Sequence, residues 1–167
     1  MLSKRERGGD GKLIEDDDLN FVDALDLKIL SALGEDARKS SREIAETIGV
    51  STGTVYNRIK KMTEKGVIRG YIPLLDHMKT GYVFTILILI QVEGEYIMDV
   101  EERLAATKEV VAVYDITGDF DVALIAKFKT QASLNAFIKN ILKTLHIRRT
   151  VTSMVLNVVK EDPRIQI

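Results

Sequence analysis

The 167-residue chain contains no cysteine and only two histidines, His77 and His146. Thiolate catalysis, disulfide cross-links and Cys/His zinc sites are excluded on that ground, and a reducing compartment fits the composition. Long hydrophobic runs are also missing. The longest, Val83 to Val92, is about half of the roughly 20 residues that a membrane-spanning helix needs, so it belongs inside protein and no membrane partner is expected. The N-terminus shows no basic segment followed by an apolar stretch and a small-residue cleavage site, which leads to the expectation of a cytoplasmic protein. An excess of charge of one sign is missing too, with a formal net charge of −1.

Apolar residues make up 46% and charged residues 29%, ordinary globular usage that can close a core in one domain or two small ones. The charge is unevenly spread. Between Arg38 and Gly70 stand eight basic residues (Arg38, Lys39, Arg42, Arg58, Lys60, Lys61, Lys65, Arg69) against three acidic ones (Glu43, Glu46, Glu64), a net +5 on an otherwise acidic chain. A basic module of this kind is the footprint of a nucleic-acid surface, although charge alone would equally describe a solvated helix face.

Residues 1–20 mix charges with Gly8, Gly9 and Gly11 and an acidic run, Asp16 to Asp18, and predict a disordered tail; Lys4, Arg5 and Arg7 within it could touch phosphates. A helix-turn-helix domain is expected over 21–66. Its first helix carries Leu25, Leu27, Ile29, Leu30 and Leu33 and ends at Gly34 in a left-handed cap. Ser40 or Ser41 caps a second, stopping at Gly49, and Ser51 or Thr52 caps a third, with Val55, Ile59 and Met62 inward and Gly66 at its end. Residues 67–81 form a linker or edge strand, because Pro73 forbids a central one.

Over 82–160 the pattern changes to strand 83–92, helix 96–106, strands 110–117 and 121–128, helix 131–143 and strand 150–159. This βαββαβ order predicts a ferredoxin-like, RAM-type sandwich, an α+β chain overall, with a short tail at 161–167. Ile86 to Ile90 are apolar at successive positions, so both faces of that strand call for cover. Two helices cover one face. A homodimer made by stacking two sheets would supply the other, since a bare apolar patch invites aggregation.

Ala45 where two helices cross, Gly49 in the turn and Val55 anchoring the next helix stand at the spacing of a helix-turn-helix, which frees the third helix for the major groove of double-stranded DNA. Gly53, Asn57, Lys60 and Lys61 then point outward, with Thr54 and Tyr56 beside them. Ser51 and Thr52 suit a phosphate at the helix N-terminus, Arg58, Lys60, Lys61 and Lys65 suit phosphates, and Thr54 and Asn57 suit base edges.

Three segments carry a family resemblance: Leu25-Asp26-Leu27-Lys28-Ile29-Leu30, Arg58 to Ile68, and Thr117-Gly118-Asp119-Phe120-Asp121. Together they resemble the leucine-responsive/asparagine-regulator (Lrp/AsnC, feast/famine) family, whose patterns there are "LDxxDxxIL", "RIKKLExxGVI" and "TGxxD". The resemblance implies a transcriptional regulator that binds palindromic DNA as a dimer and assembles to tetramers or octamers. It also implies an amino-acid effector, held near Gly118, Asp119, Phe120 and Asp121, with no other cofactor. Thr150, Thr152 and Ser153 of the last strand are further candidates. Asp119 or Asp121 would meet the ammonium, and amides or threonine hydroxyls the carboxylate. Read without the family, Gly118 to Asp121 is a tight turn whose aspartates satisfy their own backbone.

An enzyme is the rival from another class, with Asp119 and Asp121 as a carboxylate pair. It lacks a histidine in any recognisable motif, a Gly-rich phosphate loop and a base near any serine. A constitutive architectural DNA-binder without effector shares every N-terminal feature and differs only at the 118–121 turn.

Overall fold

A computed structural model describes residues 22–144 and 146–164; the expected tail at 1–20 lies outside the described residues. The chain divides into two compact units, one up to Pro73 and including the residues from Asp162, the other Leu74–Glu161.

Three helices build the first unit: α1 (Ala24–Glu35), α2 (Ser41–Ile48) and α3 (Thr52–Glu64). Each starts on a side chain that accepts orphan backbone N–H groups. Asp23 and Asp26 form a reciprocal capping box on α1, Ser40 and Glu43 form another on α2, and Ser51 accepts from the Thr54 N–H on α3. Gly49 closes α2 at φ 81°, a conformation that favours glycine. The expected left-handed stop at Gly34 does not form. Helix α1 runs on to Glu35 and ends at Asp36 in extended backbone, where the Asp36 carboxylate accepts the Arg38 N–H and stops the helix without glycine. Ile29, Leu33, Ile44, Ala45, Val55, Met62 and Ile68 form the core of this unit.

No strand forms between Gly66 and Val83, so the edge-strand alternative gives way to an irregular connector ending in a turn at Asp76 to Gly81. The second unit runs β1 (Phe84–Val92), α4 (Ile97–Ala105), β2 (Val110–Asp115), β3 (Val122–Phe128), α5 (Gln131–Leu142) and β4 (Ile147–Met154). Its sheet has the order β2-β3-β1-β4 with all neighbours antiparallel. Strand β4 starts three residues before the expected Thr150 and stops five before Val159. Its partner sets both limits: Val92 pairs with Ile147 at one end and Ile86 with Met154 at the other, with one further bond from the Val155 N–H to the Thr85 carbonyl. Arg148 and Arg149 hid the start, because a charged pair is tolerated on an edge strand. Leu156 and Val159, apolar but 95% and 92% exposed, suggested a strand that has nothing to pair with.

Ile86, Ile88, Ile90 and Val92 pack under α4 and α5 with Val100, Leu104, Leu124, Phe128, Leu134, Phe137 and Ile141. The intervening Leu87 is 37% exposed and Leu89 half-buried, so one chain covers a single face of β1. By the pairing register Ala112, Tyr114, Ala123, Ile125 and Val151 share that second face. At its far end Lys127 is buried and donates to Glu161 at 2.6 Å, tying the C-terminal segment to the sheet. No helix among the described residues is long and apolar enough to cross a membrane.

Ile44 is fully buried in the first unit. Ile44→Ala should lower the stability of that unit by about 2–5 kcal/mol, read from chemical denaturation, with the cavity adding to the lost burial. A loss under about 1 kcal/mol would contradict the core described.

Candidate nucleic-acid interface and effector turn

Helix α3 buries Val55 and Met62 and half-buries Ile59, which fixes the rotation of the helix. Gly53, Tyr56, Asn57, Lys60 and Lys61 are left exposed on the opposite side, and Tyr56 is the largest of them at 61%. A polar and aromatic face with cations at its C-terminal end has the groups that meet base edges and phosphates. Lys60 lies 3.8 Å from Glu64 on the helix surface, an exposed pair worth little and readily exchanged for a phosphate. The Thr54 hydroxyl is less free than expected: it lies 2.8 Å from the Ser51 hydroxyl inside the cap. Thr52 is exposed at the start of the helix.

Arg58 has a different place from the rest. Its guanidinium donates to both Asp26 oxygens at 3.3 and 3.2 Å and to Asp23, joining α3 to the first turn of α1. Asp26 is only 4% exposed, and a buried carboxylate needs such a partner. Arg58 therefore joins α3 to α1, and its guanidinium is engaged within the head while Lys60 and Lys61 are exposed. The sequence held a signal for this clamp. Asp26 stands in the apolar stripe of α1, three residues before the buried Ile29, where an unpaired charge would not survive.

The turn between β2 and β3 is closed by the Ile116 N–H to the Asp121 carbonyl at 2.8 Å, with Gly118 at φ 122°. Asp121 faces inward to the sheet. Its N–H donates to the Ile90 carbonyl at 3.0 Å and its Oδ2 accepts the Val92 N–H at 2.8 Å, so one carboxylate oxygen anchors the turn on β1. Asp119 is exposed, and Phe120 is half-buried with the Arg149 guanidinium 5.6 Å from its ring centroid. Arg149 thus brings beside the turn a cation that the expected set did not include. Thr150 and Thr152 pair with Ile90 and Ile88 and share the helix side of the sheet, whereas Arg149, next to Phe120, pairs with Gln91 on the other side. These candidates do not converge on one pocket within one chain.

A helix-turn-helix head followed by a βαββαβ domain with a tied β2–β3 turn defines a two-domain DNA-binding regulator. Residues 22–69 match the family model described as winged helix-turn-helix DNA-binding, and residues 85–165 match the Lrp/AsnC ligand binding domain. The chain is 44% identical over 145 residues to an uncharacterized HTH-type transcriptional regulator of Pyrococcus furiosus, covering 87% of this chain and 98% of that protein. A crystal structure of an AsnC family transcriptional regulator from Agrobacterium tumefaciens superposes with a TM-score of 0.78 at 31% identity, covering 86% of this chain and 96% of that one. A Neisseria meningitidis transcriptional regulator in complex with L-Met shares the fold, with a TM-score of 0.79 at 23% identity over 86% of this chain and 96% of that one. The chain belongs to the Lrp/AsnC family of transcriptional regulators.

The caps give the head a definite pH dependence. Asp23 is held below the usual carboxylate range by the Asp26 N–H and then Arg58, Glu43 by the Ser40 N–H and hydroxyl, and Asp36, at about 2, by the Arg38 side chain and N–H. Groups depressed on folding stabilise above their unfolded pKa and lose that contribution as the pH falls through the folded one. The melting temperature of the head should therefore drop between about pH 4 and pH 2, and Asp23→Asn with Glu43→Gln should flatten that part of the profile. Arg58→Gln should lower the melting temperature at pH 7 well below that of Lys61→Gln; equal values would remove Arg58 from its clamp role.

Proposed function

We propose that this regulator binds palindromic double-stranded DNA as a homodimer in the cytoplasm and responds to an amino acid held between subunits of the second domain. The observation that carries the DNA reading is the outward face of α3, where Tyr56, Asn57, Lys60 and Lys61 are exposed together while Val55 and Met62 anchor the helix. Two copies of α3 enter successive major grooves about 34 Å apart along the duplex. Asn57, with Tyr56 and Thr52 beside it, reads base edges; Lys60, Lys61 and the Ser51 end of the helix hold phosphates. Thr54 acts mainly through the cap.

The bare face of the sheet supports the dimer. Leu87, Tyr114 and Val151 are 37%, 55% and 36% exposed on it, and a second sheet stacked there would bury them, with further pairing of dimers to tetramers or octamers. The effector reading is supported by the match to a ligand-binding domain and by the L-Met bound to the Neisseria protein. Gly118, Asp119 and Phe120 offer turn amides, a free carboxylate and an apolar wall, and Arg149 adds a cation for the carboxylate. Thr150 and Thr152 lie on the opposite side, so they reach the same ligand only if contributed by another copy. A constitutive binder is the second reading, favoured by the engagement of Asp121 in the fold.

Binding to the protein's own promoter region should exceed binding to random DNA and shift with one amino acid. Asn57→Ala should narrow that preference, whereas Lys61→Ala should weaken both and reduce the salt slope by about 0.9. Selective binding unmoved by any amino acid would favour the constitutive reading, and absence of binding to any duplex would end the proposal.

A further inference from the structure

The end of β1, the start of β4 and the start of α4 meet at a corner that the DNA and effector readings leave unused. The Glu93 N–H donates to the His146 carbonyl at 2.9 Å, and the Tyr96 N–H to the Glu93 carbonyl at 2.8 Å. Among the described residues His146 is the one non-glycine in the left-handed region, at φ 72°. Such backbone is unfavourable for a residue with a side chain and persists only where the surroundings enforce it. Here they do. The imidazole stacks on Tyr96 with centroids 3.4 Å apart and planes 12° from parallel, and its Nδ1 lies 3.1 Å from Glu93 Oε2.

Beside this stack opens a cavity of about 90 Å³ lined by Tyr96, Asp99, Val100, Arg103 and His146. Asp99 and Arg103 stand one helical turn apart, where opposite charges commonly pair. Among the described residues neither side chain has a hydrogen bond or ion pair, and both are exposed at the cavity. An unpaired carboxylate and an unpaired guanidinium therefore share one recess with an apolar floor and a rigid aromatic wall.

We propose that this cavity binds the main-chain part of a small α-amino acid, with Arg103 on its carboxylate, Asp99 on its ammonium, and Val100 and the Tyr96–His146 stack enclosing its Cα. Charge selects the ligand class: a simple anion meets Asp99, a simple cation meets Arg103, and a zwitterion satisfies both. Size narrows it further. Drug-sized and nucleotide ligands occupy roughly 300–1,000 Å³, so this recess takes a few heavy atoms and leaves any longer side chain outside. The site stands on α4 and the start of β4, apart from the residues of the β2–β3 turn, and is independent of the effector reading there.

Calorimetric titration of the full chain with glycine, L-alanine and L-serine, each alone, tests it, with acetate and methylamine as single-charge probes. At least one of the three amino acids should bind saturably and at least tenfold more tightly than either probe. Arg103→Gln and Asp99→Asn should each weaken that binding at least tenfold with unchanged melting temperature, and Lys108→Gln should not weaken it. Absence of binding by all three amino acids, or binding that both variants retain, would overturn the proposal. Binding lost in Asp119→Asn but retained in Arg103→Gln would also overturn it, while leaving the effector turn standing.

Discussion

Strand β1 holds the second unit together because it is central in the sheet and pairs on both sides. Its alternation places Ile86, Ile88 and Ile90 beneath the two helices, and the same register fixes Leu124 and Val122 of β3 and Thr152 and Thr150 of β4 on that side. A slip of one residue would move every one of these side chains to the other face. The last residues of β1 also carry both polar corners. Ile90 and Val92 accept and donate the two bonds that tie Asp121, and Glu93 ties His146. The turn and the stacked corner are consequences of where β1 stops.

That dependence explains which parts of the structure were legible in the sequence. Periodicity located the α-helices and strands among the described residues, because burial alternates with the period of each element. The failures have a common physical source: they are ends decided by a partner. Leu156 and Val159 look like strand residues, yet β1 offers nothing to pair with them. Gly34 looks like a stop, yet the backbone continues because Asp36 provides a capping acceptor without a left-handed residue.

The candidate sites followed the same rule. The rotation of α3 was readable from Val55, Ile59 and Met62, so the exposed positions Asn57, Lys60 and Lys61 were too. Charge alone does not say what a cation meets, and Arg58 pairs inside the head. Its partner Asp26 lies more than thirty residues away in sequence, and only the fold brings the two together. Arg149 escaped notice at the β2–β3 turn for a similar reason, since it arrives there from β4.

The two units divide the physical work differently. The head is held by a compact core, three capped helix starts and one ionic clamp, all of which favour a rigid presentation of α3. The second unit leaves an apolar sheet face bare on one side and places its polar turn and stacked corner at one end of the same sheet. Under the proposed function, a ligand bound near that end would act on residues contiguous with the bare face through β1 itself, since Leu87 and Leu89 alternate with the strand positions that anchor Asp121. Coupling between ligand and assembly then needs no long pathway: a change at Ile90 or Val92 is one strand residue away from the surface at which a second sheet would stack.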